Sequence, residues 1–156
     1  MADNKAQVAQ EIYNSLCDAI DKIGLKYEMG EEELFVRFTV SGEDIPMKFV
    51  MLVDADLKLL VLMSYMPFKM SEAKRYEGAV AACVSSYGLI NGWFGYDITD
   101  GEITFRMVQP FMDGYISEST FIHMIAFSCS VVDDYNDRFM ALDKGFMSIE
   151  EFIEKG

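Results

Sequence analysis

The sequence is poor in several residue types that small proteins use to build sites or to stabilise a fold. Its 156 residues include three cysteines, three prolines, one histidine and one tryptophan. Cys17, Cys83 and Cys129 are odd in number, widely separated and without a Cys-x-x-Cys spacing. This pattern predicts neither a disulfide framework nor a zinc site. We expect three buried, reduced thiols that pack as small apolar side chains.

Long apolar runs are also missing. Apolar stretches such as residues 59–63 are only a few residues long, whereas a helix that spans a bilayer needs about 20 residues. Residues 1–5 run into an amphipathic pattern, without the basic start and apolar run of a signal peptide. We therefore expect a cytoplasmic protein.

Basic residues are scarce. The chain has 13 lysines and arginines against 26 aspartates and glutamates, a formal net charge of −13. A negative field of this size repels phosphate backbones and anionic lipids, so we expect no nucleic acid partner and no membrane partner. The hydrophobic fraction of 51% excludes a disordered chain. The length fits a single domain over residues 1–156.

Catalytic and metal-binding motifs are absent as well. The single histidine, His123, is predicted on the polar side of a helix, and no partner for acid–base or nucleophilic chemistry is marked near it. The acidic region 133–152 lacks the ligand and glycine spacing of a calcium-binding EF-hand. Asp54 and Asp56 lie at a predicted tight turn, where aspartate stabilises the backbone. We expect a non-enzymatic protein with no cofactor and no metal.

The residues that are present alternate between helical and strand periodicities. Helices are predicted over 5–23, 71–88 and 117–139, with a short final helix from Ser148. Strands are predicted over 34–40, 47–54 and 57–66 and in a hairpin over 93–108, with a further short strand from Tyr27. The order predicts an α+β fold, α-β-β-β-α-β-β-α, with an antiparallel sheet flanked by helices.

Two of these elements carry detailed expectations. In the second helix, apolar residues line one face: Tyr76, Val80, Val84 and Tyr87. In the hairpin, Asp100-Gly101 fits a two-residue type I′ turn, which would fix the register. The resulting pairs are Ile98 with Ile103, Tyr96 with Phe105, and Phe94 with Met107.

The hairpin segment 91–106, Asn-Gly-Trp-Phe-Gly-Tyr-Asp-Ile-Thr-Asp-Gly-Glu-Ile-Thr-Phe-Arg, resembles that of the YbjN family. This family, labelled bacterial sensory transduction regulators, shares its fold with type III secretion chaperones. The resemblance covers nearly the whole chain and implies a type III secretion chaperone-like domain. Such chaperones are small acidic homodimers that hold unfolded stretches of a client. The family offers no catalytic motif, and the helix after Gly145 is an addition to its pattern.

Several apolar residues fall out of phase with the core-facing residues of their strands. They are Phe35, Val50, Leu52, Trp93 and Val108. We expect these five side chains on the sheet face opposite the helices, where they would bind a protein or peptide client or a second copy of the chain as a homodimer. A second core layer over this face is the alternative.

The leading interpretation is a chaperone-like or regulatory protein-binding module. One rival is a small-ligand sensor or an enzyme of unrecognised type, which predicts a closed pocket with convergent polar groups. The other rival is a structural subunit of a larger complex, which predicts a large exposed apolar patch.

Overall fold

A computed structural model describes residues 2–30, 32–112 and 114–155. The helices are α1 (Ala2–Lys22), α2 (Arg75–Tyr87), α3 (Glu118–Lys144) and α4 (Ile149–Glu154). The strands are β1 (Tyr27–Met29), β2 (Phe35–Ser41), β3 (Pro46–Asp54), β4 (Leu59–Lys69), β5 (Trp93–Asp97) and β6 (Glu102–Pro110). A 3-10 turn, Glu72–Lys74, leads into α2. The predicted α+β order is confirmed.

The six strands form one antiparallel sheet in the order β1-β2-β3-β4-β6-β5. Successive side chains of a strand point to opposite faces, and alternate residues of β3 and β4 are buried. The buried set on this core face includes Phe38, Phe49, Met51, Leu62 and Phe105. Helices α1 and α3 contact β3, β4 and β6, so the core lies between these helices and one face of the sheet.

Helix α2 packs against the edge strand β5 with its small residues. Its buried positions are Gly78, Ala81, Ala82 and Ser85, and a Cβ at Gly78 would lie 2.6 Å from the Tyr96 hydroxyl oxygen. The apolar stripe of this helix therefore faces solvent. Its exposed members are Tyr76, Val80 and Tyr87.

A side chain of α2 also occupies the free backbone edge of the sheet. The Phe94 backbone N–H donates to Ser86 Oγ at 2.8 Å, and the Tyr96 hydroxyl donates to the Arg75 carbonyl at 2.7 Å. An edge strand covered in this way is protected from pairing with another chain.

The predicted register of the hairpin is wrong by two residues. Phe94 pairs with Phe105 and Tyr96 with Ile103, because the loop contains the four residues 98–101. The Gly101 N–H donates to the Asp97 carbonyl at 2.7 Å. A shift by two keeps the side chains that remain in the strands on their predicted faces, whereas Ile98 and Thr99 leave the sheet for the loop, where Ile98 is 45% exposed.

The ends of the last two helices follow their local sequence signals. Ser117 caps α3 by accepting the Thr120 N–H, and Gly145 ends that helix at φ 77°. Ser148 and Glu151 form the capping box that opens α4. Phe152 of α4 is fully buried against Phe139, with ring centroids 5.4 Å apart, so the helix after Gly145 completes the core.

Candidate protein-binding face

The sheet face opposite α1 and α3 is lined by three rows of side chains in register, and we call it the open face. The apolar row is Phe35, Leu52, Val61 and Val108. The mixed row is Arg37, Val50, Met63, Arg106 and Trp93. The polar row is Thr39, Lys48, Tyr65 and Thr104. Because paired residues of neighbouring strands lie side by side, each row crosses four or five strands.

The structure brings all five sequence-predicted residues to this face. Phe35, Leu52 and Val108 lie in the apolar row, and Val50 and Trp93 lie in the mixed row. Four of the five are partly buried by their neighbours, and Trp93 is 42% exposed. Their grouping on one face follows from the strand periodicity.

No helix of the described residues covers the open face. The partly buried side chains that pack against the core include Leu34, Val40 and Tyr96, but none from the apolar row or the mixed row. The arrangement expected of a second core layer is therefore missing over the parts of the chain that the structure describes. Apolar side chains remain in contact with solvent across the middle of the sheet.

An open depression of about 800 Å³ lies over one half of this face. Its lining includes three cations, from Lys26, Arg37 and Lys48, and one carboxylate, from Glu28. Small-molecule sites are enclosed and bury most of their ligand, whereas this depression is open to solvent on one side.

The charge of the open face differs from that of the whole chain. The net charge is −13, yet the three rows contain three cations, Arg37, Lys48 and Arg106, and the one carboxylate in register with them is Glu28, which pairs with Arg37 on the edge strand β1. Among the described residues, the cations in ion pairs are Lys22, Lys69, Lys74 and Lys144, and none of these belongs to the rows. The centre of the open face is therefore a cationic and apolar area on an acidic protein.

Carboxylates on this side of the sheet lie at its periphery. Glu28 is on the edge strand β1 opposite Arg37. Asp54 accepts two backbone N–H groups of its own turn. At the hairpin end, Lys69 lies beside Glu102 and hydrogen bonds to Asp100, and this hydrogen bond lowers the pKa of the Asp100 carboxyl.

The two arginines of the mixed row are held in place by neighbouring groups. Arg106 Nε donates to Thr104 Oγ1 at 3.1 Å, and its guanidinium lies over Gly95, where a Cβ would be 2.8 Å from Nε. The Arg37 guanidinium lies 4.8 Å from the centroid of the Phe35 ring, a favourable cation–π contact. Glycine at position 95 thus makes room for a fixed cation.

Groups that could support catalysis are scattered. Within the described residues, no three histidine, cysteine, aspartate or glutamate side chains are placed to hold a metal ion. His123 is exposed on α3 and stacks on Phe127. Burial raises the pKa of the Cys17 thiol and raises that of the Cys129 thiol to about 11, which makes both poor nucleophiles at neutral pH. Cys83 is exposed, so the expectation that all three thiols are buried is wrong for this one.

No helix in the described ranges combines the length and the apolarity that a bilayer crossing requires.

Comparison with known proteins rests on structure. No protein-family model matches the chain, and no curated protein matches it in sequence. A chain of the ExsC–ExsE complex superimposes with a TM-score of 0.59 at 14% identity, over 83% of this chain and 93% of that one. YbjN from E. coli superimposes with a TM-score of 0.59 at 9% identity, over 81% and 92%.

The chain has the YbjN-like fold. This confirms the predicted fold, the one shared with type III secretion chaperones. Identities this low establish the architecture alone, because one fold supports many functions.

Sequence reasoning missed several residues of the open face in this YbjN-like fold. Val61 and Met63 lie at its centre, but their strand is apolar on both sides, so neither phase stood out. Arg37, Lys48 and Arg106 are isolated cations in the sequence, and only strand pairing brings them together. Counting every second residue of each strand would have placed them on this face.

Proposed function

We propose that this protein is a non-enzymatic protein-binding module, chaperone-like or regulatory, that holds a polypeptide segment on its open face. The observation that carries the proposal is the apolar row, which crosses four strands without a covering helix among the described residues. Sheets with one apolar face normally bury it against another layer. A bound polypeptide supplies that layer.

The structural neighbours support a protein partner. One is a chain of a complex between two proteins, ExsC and ExsE, and the other is YbjN, described as a candidate transcription regulator. Three free cysteines suit a reducing compartment, so we place the proposed function in the cytoplasm. Its unit is a single domain over residues 1–156.

Site-specific photo-crosslinking tests the proposal. A benzoylphenylalanine introduced at Val61, in the apolar row, should crosslink a polypeptide in the cells from which the protein comes. The matched control is the same group at Ser130, which is exposed on α3. Equal crosslinking from both positions, or none from Val61, would contradict a binding role for the open face.

A homodimer is the second candidate, and the exposed stripe on α2 favours it. Tyr76 is 79% exposed, Val80 44% and Tyr87 95%, and the only charged residues of this helix are Arg75 and Glu77. Two chains of −13 each repel one another, so a nearly neutral apolar stripe is where they can meet at least cost.

Sedimentation equilibrium tests this second candidate. Val80→Glu should convert a dimer to a monomer, and added salt should strengthen the parent dimer by screening the like charges. Ser130→Glu is the control with the same added charge. A monomeric parent, or a Val80→Glu variant that remains dimeric, would rule out the stripe as the interface.

A further inference from the structure

We propose that the segment held on the open face is acidic as well as apolar, with carboxylates that pair with Arg37, Lys48 and Arg106. This inference rests on the proposed function and specifies the chemistry of the partner. It comes from the contrast between the cationic centre of the open face and the acidic surface of the rest of the chain.

The spacing of the cations matches a segment that crosses the sheet. Arg37 and Arg106 lie at opposite sides of Val50 and Met63 in one row, three strand spacings or about 14 Å apart. This distance corresponds to about nine residues of helix or about four residues of extended chain. Lys48 lies in the adjoining row between these two positions.

The arginines are oriented before a partner arrives. Arg106 uses Nε in its contact with Thr104, which leaves the four N–H bonds of its terminal nitrogens to donate to a carboxylate. The stacking of Arg37 on Phe35 fixes the plane of the second guanidinium. Because less side-chain freedom is lost on binding, such preorganised donors favour the complex.

The apolar row beside the arginines is the reason why the partner must also contain apolar side chains. Leu52 and Val61 pair directly at the centre of this row, beside the row that contains the arginines. A segment with alternating carboxylates and apolar side chains fills both rows at once. Charge complementarity then selects it from apolar segments of other composition.

Other occupants fit the charges less well. A second copy placed face to face by a two-fold axis would bring the same cations towards one another. Nucleic acid would have to approach a chain of net charge −13, which repels it. An acidic segment also meets this repulsion, but its apolar side chains can bury themselves on the sheet.

Two synthetic 16-residue peptides test the inference by fluorescence anisotropy. Both carry leucine at the same positions, and they differ only in glutamate or glutamine at every polar position. We expect the glutamate peptide to bind at least tenfold more tightly, although the net charge of the protein predicts the reverse order. The double variant R37E/R106E should invert the preference.

The control variant K5E/K155E makes the same change in net charge at exposed positions away from the open face, and it should keep the preference for glutamate. Circular dichroism checks that each variant is folded. If R37E/R106E does not fold, the single variant Lys48→Glu should still weaken the glutamate peptide several-fold relative to the glutamine peptide.

Four results would overturn the inference. The first is that the glutamine peptide binds as tightly as the glutamate peptide, and the second is that neither peptide binds at 1 mM. The third is that oligo-dT displaces the glutamate peptide, and the fourth is that the protein self-associates and R37E/R106E abolishes this self-association. Crosslinking from Val61 in the native cell would still support the proposed function in each case, so the two failures are distinguishable.

Discussion

The hairpin loop depends on glycine at position 101, which packs directly on the backbone of Met70. Gly101 is buried and has φ 80°. A Cβ at this position would press on the Met70 carbonyl oxygen and lie 3.0 Å from its nitrogen and 3.1 Å from its carbonyl carbon. The Met70 N–H also donates to the Gly101 carbonyl at 2.9 Å, so neither backbone can move without loss of this contact.

Gly101→Ala should therefore destabilise the fold in two ways. An L-residue at positive φ costs about 1–2 kcal/mol, and displacing closely packed backbone costs about 1–3 kcal/mol more. The controls Gly145→Ala and Gly24→Ala have φ values of 77° and 75° and no atom within 4 Å of the added Cβ. These two controls should lose only the stability that an L-residue at positive φ costs, about 1–2 kcal/mol.

Urea denaturation followed by circular dichroism measures the three free energies of unfolding. Replacing glycine by alanine makes the unfolded chain less flexible, and this effect is common to all three variants. The difference in the free energy of unfolding between Gly101→Ala and the controls therefore isolates the contact with Met70. We expect a difference of about 1–3 kcal/mol. A loss at Gly101 within about 0.5 kcal/mol of the control values would refute the packing argument, given the usual extrapolation error.

Two further predictions concern the open face and the thiols. Trp93→Ala should cost clearly less stability than Phe105→Ala, since Trp93 is 42% exposed and Phe105 is fully buried. Truncating a buried phenylalanine costs about 3–5 kcal/mol. A Trp93→Ala variant that keeps the oligomeric state of the parent but melts as low as Phe105→Ala would assign the tryptophan to the core. In the folded protein, Ellman's reagent should react quickly with one thiol, that of the exposed Cys83. Burial raises the pKa of the Cys17 and Cys129 thiols, so both should react only on unfolding, and fast reaction of all three would contradict the packing of α1 and α3.

Much of the fold could be read from local sequence because the signals involved are local. Strand periodicity alone assigned Phe35, Val50 and Leu52 to one face, since side chains alternate with a period of two. The capping box at Ser148 and Glu151 likewise needs only its own four residues.

The hairpin register required more than the turn sequence. Asp100-Gly101 fits a two-residue turn, but the Gly101 N–H reaches the Asp97 carbonyl and the glycine packs on Met70, so the loop is longer. The predicted faces survived this error because a shift of two residues preserves them.

The sequence by itself thus determined the elements, their order and the face of those strand residues whose polarity alternates, because these depend on spacing along the chain. Tertiary structure decided which side of α2 is buried, since Gly78 must approach Tyr96 and a larger side chain cannot. It also brought Arg37 and Arg106 into one row, 69 positions apart in the chain. No local pattern in the sequence predicts this pair, because two other strands, β3 and β4, lie between the two arginines in the sheet.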